Sequence, residues 1–281
     1  MSPASPQIPC ITAHGACIPQ VGLGTMTLTG RSGLRAIETA LEVGYRHIDT
    51  AAYYENEHLV GAALRNSGVR REDVFITTKV RAADAKPDDF ARVVDQGLAN
   101  LQLPYVDLLL IHWPSKDVPL HLTVGALCKA KREGKARHVG VSNFTTALLE
   151  EAWMSTSEPL VCNQIECHPY INQDKVVAAC EMYGMAVVAY VPMGRGGMAG
   201  EEVLARIGAA HGRTAAQIAM RYLIQRGMAA VPRSSDRQHL IDNLNVFDFA
   251  LTRADMAELD ALKASHTRLV DPPSAPVWDT P

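Results

Sequence analysis

The chain has 281 residues, 47% hydrophobic and 20% charged, enough apolar material for a large buried core in a soluble protein. Its formal net charge is -3 with acidic and basic residues interspersed, which leaves no electrostatic footprint for nucleic acid or an anionic membrane. The opening MSPASPQIPC carries no charged leader before an apolar stretch, and no apolar run approaches the ~20 residues of a membrane span, so a cytoplasmic location is expected.

Short β-rich runs then alternate with amphipathic helical stretches. After a turn-rich N-terminal extension, GLGT (22–25) predicts a short first strand. YRHID (45–49), DVFITTK (73–79), YVDLLLIH (105–112), ARHVGVSN (136–143), LVCNQIE (160–166), MAVVAY (185–190) and MAAVP (228–232) follow as strands two to eight. Between them, LRAIETALEVG, DFARVVDQGLANL, TVGALCKAKREGK and AAQIAMRYLIQRG repeat apolar residues at spacings of three and four, the period of a helix. The strands are mostly apolar throughout, as expected of parallel strands buried on both faces. No Pro/Gly linker or low-complexity tract divides the chain, so residues 1–281 are expected to form a single domain.

Eight strand-helix units predict an α/β fold, a (β/α)8 TIM barrel with a parallel eight-stranded core and a short N-terminal extension. The main competitor is a doubly wound sheet, whose dinucleotide-binding form wants GxGxxG between its first strand and helix. GLGTMTLTG has the first two glycines but Thr27 where the third belongs, and GRGGMAG at 194–200 follows a late strand. Both are poor matches.

The six cysteines include no CxxC pair and mostly sit in apolar segments, so no disulfide is expected. Cys162, Cys167 and His168 lie close together in sequence, but Cys162 and Ile165 read as interior strand positions, and no metal site is expected there.

Nearly every apolar run ends on a polar residue. Asp49 ends the second, Lys79 the third, His112 the fourth, Ser142 and Asn143 the fifth, Gln164 and Glu166 the sixth and Tyr190 the seventh, while Arg233 and Ser234 follow the eighth. In a barrel these ends converge on one rim, where catalytic residues come from several strands. Taken singly, a Lys after a strand is commonly a solvated cap and a Tyr ordinary packing. Together, Asp49, Tyr54, Lys79 and His112 would set a cation beside a phenol with a carboxylate to hold the cation. A nearby positive charge lowers a phenol from its reference pKa of ~10, which would make Tyr54 a general acid near neutrality. His112 could orient a carbonyl oxygen, with Trp113 walling the pocket.

The stretches GLGT, GYRHIDTAAYYENEHLVG, FITTKV, DLLLIHWP, GKARHVGVSNF, NQIECHPY and VPRSSDRQHLIDN, in this order, resemble the aldo-keto reductase family over nearly the whole chain. The resemblance places the family's catalytic tetrad on Asp49, Tyr54, Lys79 and His112; Tyr53 is the neighbouring candidate, but Tyr-x-Asn-Glu points to Tyr54. It implies reduction of small aldehydes or ketones by hydride from a nicotinamide, with Tyr54 protonating the oxygen. It also implies that Gly24, Thr25, Met26 and Asp49 line the cofactor, that Ser142, Asn143 and Gln164 hold its carboxamide, and that Tyr190 stacks on the nicotinamide. Pro192, Met193 and Gly194, with the backbone near Gly196, would cover the pyrophosphate. Arg233, Ser234, Ser235, His239, Asp242 and Asn243 would take the adenosine 2'-phosphate, which makes NADPH the expected cofactor. His239 stands where many relatives carry Arg and Asp236 adds a negative charge nearby, so NADH use stays open.

The tail RLVDPPSAPVWD (268–279) and the short segment after His112 are similar to the bacterial branch that reduces 2,5-diketo-D-gluconate and methylglyoxal. Residues from about 266 to 281 would then lie near the mouth, with Met26, Tyr53, Trp113 and Trp278 as an apolar substrate wall. A small carbonyl compound is the expected partner and a monomer the expected state, with a homo-oligomer left open. Two alternatives stand beside this reading: a barrel lyase using Lys79 as a Schiff-base nucleophile, and a nicotinamide-binding regulatory subunit with little turnover.

Overall fold

In the computed structural model of the protein, residues 8–194 and 201–281 are described. The chain enters through an antiparallel hairpin, β1 (Cys10–Ala13) and β2 (Ala16–Pro19), turned by His14 and Gly15 at positive φ. Cys10 and Cys17 are disulfide-bonded across it with Cα atoms 5.4 Å apart, which corrects the expectation of free thiols. The physical reason is the turn: it brings together residues whose sequence spacing carries no pairing signal. The other four cysteines are buried and free.

Eight parallel strands follow: β3 (Leu23–Gly24), β4 (His47–Asp49), β5 (Phe75–Val80), β6 (Val106–Ile111), β7 (Ala136–Ser142), β8 (Leu160–Glu166), β9 (Ala186–Tyr190) and β10 (Ala229–Ala230), each paired with the next. The ends of this sheet meet. Val21 bridges Ala230, Gly22 N donates to Ala230 O at 2.9 Å, and Gly24 N donates to Pro232 O at 2.9 Å. Such closure removes the edge strands and gives the barrel.

The uniformly apolar strands are explained by two cores. Leu108 and Leu110 of β6 point into the barrel with Val161, Cys162 and Val188, and Ala13, Ala16 and Ile18 of the hairpin plug that core from below. Leu109 and Ile111 point outward into the larger core beneath the helices. Alternation along the pleat thus divides one apolar run between two buried surfaces.

The helices are α1 (Gly30–Val43), α2 (Glu57–Ser67), α3 (Pro87–Leu101), α4 (Leu120–Arg132), α5 (Thr146–Ser155), α6 (Asp174–Met182), α7 (Glu201–His211), α8 (Ala215–Gln225), α9 (Arg237–Leu244) and α10 (Arg253–Ala261). In α1, Ala36, Ile37, Ala40 and Leu41 form the buried stripe, and Gly44 at φ 114° ends the helix in the left-handed region. Among the described residues, no helix is long and apolar enough to cross a membrane.

Gly24 sits where closure is tightest: a Cβ there would stand 2.7 Å from Val231 O. Gly24→Ala is therefore expected to destabilise the protein by about 1–3 kcal/mol, the usual range for overpacking, as a lowered thermal midpoint.

Candidate active site

The polar strand ends gather on one rim. Asp49, at the end of β4, and Lys79, in β5, are both almost fully buried, and Lys79 Nζ donates to Asp49 Oδ1 at 2.5 Å and to Thr50 O at 2.8 Å. The second Asp49 oxygen accepts from Gln164 Nε2 at 2.7 Å. Burial opposes the Lys79 charge, but Asp49 and the Tyr54 phenol outweigh it and hold the ammonium above its ordinary pKa.

Tyr54 lies half-buried at the end of a 3-10 turn, Ala52–Tyr54, after β4. Its ring meets His112 edge-on at 5.6 Å between centroids, and Lys79 Nζ is 5.2 Å from the Tyr54 centroid. Tyr53 is 60% exposed, so the structure brings Tyr54 and not its neighbour to Lys79 and His112. The electrostatics differ from the sequence-based expectation: burial pushes the Tyr54 phenol up, Lys79 pulls it down and Asp49 raises it again, for a net rise above the ordinary value. The phenol is therefore protonated throughout the neutral range. Desolvation first, and Lys79 second, push His112 down to about 3, so its imidazole is neutral, and its buried Nδ1 has no hydrogen-bond partner among the described residues.

Asn56, two residues after Tyr54, ties the loop after β4 to the segment after β3, a contact the sequence reading did not assign. Its Nδ2 donates to Thr25 O at 2.8 Å and Leu28 O at 3.0 Å, and its Oδ1 accepts from Thr50 Oγ1 at 2.7 Å. All three groups are thereby tied around one fully buried amide, which is costly to leave unpaired. Glu57 begins α2 and accepts from Thr78 Oγ1 at 2.7 Å, tying this helix to the residue before Lys79. The polar pair after Tyr54 was the available signal, since surface-like residues that start a helix under a rim can fold inward.

The proposed cofactor residues form two groups. Ser142 Oγ donates to Gln164 O at 2.8 Å, Asn143 Nδ2 donates to His112 O at 2.9 Å, and Tyr190 OH donates to Asn143 Oδ1 at 2.7 Å, so these residues are knitted to the tetrad. Thr25 Oγ1 donates to Asp49 O at 3.0 Å. Gly24 is buried, while Met26 is 54% exposed on the same rim. Asn143 at φ 63° and Val191 at φ 50° are strained, the latter as a β-branched residue in left-handed space, and such strain gathers at working sites. Pro192 is buried and Met193 and Gly194 half-buried; Gly196 lies outside the described residues.

The second group lies past β10. Arg233, Ser235 and His239 are exposed, Ser234 and Asn243 buried, and Asp242 accepts from Gln238 Nε2 at 2.9 Å. Arg233 makes no hydrogen bond or ion pair with a described residue. Asp236 caps α9 by accepting from His239 N at 2.9 Å, a bond that lowers its carboxyl pKa.

At the mouth, Trp113 meets Trp278 edge-on at 6.1 Å, whereas Tyr53 has no ring contact with that pair. The tail is tied down: Glu166 accepts from Leu269 N at 2.6 Å and Val270 N at 2.8 Å, and Asp279 accepts from Thr146 Oγ1 at 2.5 Å and Thr146 N at 3.0 Å. His168 Nε2 contacts Glu166 Oε1 at 2.9 Å, Cys167 lies against Met228 and Cys162 is in the inner core. Among the described residues, no group of three His, Cys, Asp or Glu side chains is placed to hold a metal ion.

The family model described as Aldo/keto reductase family matches residues 20–264. The methylglyoxal reductase DkgB of Escherichia coli O157:H7 is 39% identical, covering 93% of this chain and 99% of the relative. The glyoxal reductase of Bacillus subtilis is 38% identical, covering 89% and 90% of the two chains. A crystal structure assigned as a 2,5-diketo-D-gluconic acid reductase B has a TM-score of 0.95 at 40% identity, covering 98% of each chain. The Bombyx mori aldo-keto reductase in complex with NADP has a TM-score of 0.87 at 33% identity, covering 94% of this chain and 95% of that one. With the barrel closed and its rim so composed, the chain belongs to the aldo/keto reductase family.

Proposed function

We propose that the protein reduces small aldehydes or ketones to alcohols with NADPH, using Tyr54 as the general acid. The observation that carries this reading is the grouping of a protonated Tyr54 phenol with neutral His112 and with Lys79, itself held charged by Asp49. When bound, the nicotinamide supplies a hydride. Gln164, Asn143 and Ser142 would hold its carboxamide, Tyr190 its ring, and Arg233 with Ser234 and the α9 N-terminus an adenosine phosphate. This donor set fits such a cofactor: buried amides adjoin the tetrad, and an exposed guanidinium stands ready for phosphate.

The chain's own chemistry is then proton delivery and orientation. Tyr54 donates its proton to the substrate oxygen as negative charge develops there, and Lys79 favours the resulting phenolate. A neutral His112 can donate one N–H hydrogen bond to the same oxygen and fix its approach. The Lys79 lyase alternative has no support, because a Schiff-base nucleophile needs an uncharged amine and Asp49 keeps this one protonated.

Methylglyoxal and 2,5-diketo-D-gluconate are the first substrates to test, since the similar proteins carry those names. The test follows loss of reduced-nicotinamide absorbance with these two and an aromatic aldehyde. Saturable, carbonyl-dependent consumption supports the proposal; nicotinamide binding with no turnover on any of them favours the regulatory-subunit alternative.

Cofactor choice has its own test at His239. His239→Arg is expected to tighten NADPH about 10-fold or more while leaving NADH nearly unchanged, the size of one charge-assisted bond to phosphate. Equal tightening of both in a titration would detach His239 from the 2'-phosphate.

A further inference from the structure

Arg268 is a half-buried guanidinium with no hydrogen bond or ion pair to a described residue. Its Nη1 is buried and unbonded. Burial opposes its charge and nearby carboxylates favour it, but none of them bonds to it: Glu166 accepts from Leu269 N and Val270 N and contacts His168, Asp271 accepts from Trp278 Nε1 at 2.8 Å, and Asp279 accepts from Thr146. A desolvated cation with an idle donor is costly unless an anion completes it.

Its position indicates which anion. The guanidinium lies over the Trp278 ring, 3.7 Å from its centroid, in a cation–π contact. Trp278 meets Trp113, the residue after His112. Tyr190 ends β9 on the same rim and donates to Asn143 Oδ1, and burial raises its phenol pKa while the nearby Arg268 charge lowers it. The buried Glu166 carboxylate holds the two backbone groups that directly follow Arg268, so the chain beside the cation is tied to the barrel rather than left as a free tail.

We propose that Arg268 is a specificity-determining residue that binds the carboxylate of an acidic carbonyl substrate at the barrel mouth. This rests on the carbonyl-reductase reading. The planar fork of a guanidinium suits a carboxylate held by two parallel bonds. The substrates so favoured are oxo acids whose carbonyl reaches Tyr54 while the carboxylate meets Arg268, with Trp113 and Trp278 packing between.

The test compares 4-formylbenzoate with its methyl ester in the wild type, Arg268→Gln and Arg268→Lys. For Arg268→Gln, the acid-over-ester ratio of kcat/KM is expected to fall about 10- to 100-fold, mainly through KM, the effect of losing a charge-assisted bond. Arg268→Lys should recover part of the ratio, because it restores the charge without the fork. Binding of 4-(hydroxymethyl)benzoate, read by tryptophan fluorescence, should weaken in parallel. A parallel loss for acid and ester would show that Arg268 only supports Trp278, and overturns the proposal. So does weaker NADPH binding with an unchanged ratio, which would give the guanidinium to the cofactor's phosphates, and so does a wild type that does not bind the acid. If the acid binds through Arg268 but neither aldehyde is reduced, the anion site stands and the reductase reading fails.

Discussion

Tyr54→Phe is expected to retain the fold and NADPH affinity while losing about 10²–10⁴-fold in carbonyl reduction, the range of a positioned general acid. The substitution keeps the ring whose edge packs on His112 and removes only the hydroxyl. Binding measured by nicotinamide fluorescence should therefore hardly change, and the loss should fall on kcat. The pH profile adds a second constraint. With the Tyr54 pKa raised, the donor form persists through neutrality, so reduction should be flat there and decline only as the phenol ionises, above its ordinary value of ~10. His112, pushed down to about 3, contributes no acid limb until far below neutrality. Alcohol oxidation needs the phenolate and should rise over the alkaline range where reduction declines. Near-normal turnover in Tyr54→Phe would reject the assignment, as would a reduction rate falling through neutral pH with an ionisation absent from the variant.

Much of the rim was legible because a parallel barrel converts sequence position into spatial position. A polar residue at the end of an apolar run must emerge on the same face as every other such end, and Asp49, Lys79, His112, Asn143 and Gln164 do so. Choosing Tyr54 over Tyr53 needed the motif, since a short turn rather than a periodic element decides which ring faces inward. What stayed hidden depends on distant partners. Asn56 reads as a surface residue until Thr25, Leu28 and Thr50 close around it. The net direction at Tyr54 could not be foreseen from its neighbours' charges, because burial acts against Lys79 and is larger. Cys10 and Cys17 meet only once the hairpin forms. Arg268 is conspicuous for bonds it lacks, and a sequence does not record missing partners.

Asp49→Asn should be the most damaging conservative change at the rim, both to stability and to activity. Asp49 serves two donors at once, Lys79 Nζ at Oδ1 and Gln164 Nε2 at Oδ2, and an amide would present an oxygen at only one of these positions and an NH2 donor at the other. Lys79 would be left fully buried with neutral oxygen acceptors alone, Thr50 O and at most the amide oxygen, and with no counter-charge. Removing one member of a buried pair typically costs about 3–5 kcal/mol, because the surviving charge is stranded. Denaturant unfolding should show that loss at neutral pH. The stranded ammonium should fall below its unfolded pKa of ~10.4, so the unfolded state would bind more protons and the variant's deficit should shrink as pH rises toward that value. The wild type, whose folded Lys79 pKa is raised, should show no such recovery and should lose this contribution as pH climbs past the unfolded value. Adding Lys79→Met to Asp49→Asn should restore much of the stability, since an apolar side chain of similar length needs no counter-charge, but none of the reduction. If Asp49→Asn were as stable as the wild type at every pH, Asp49 would not be what keeps Lys79 charged, and the electrostatic basis for a phenolate at Tyr54 would have to be sought elsewhere.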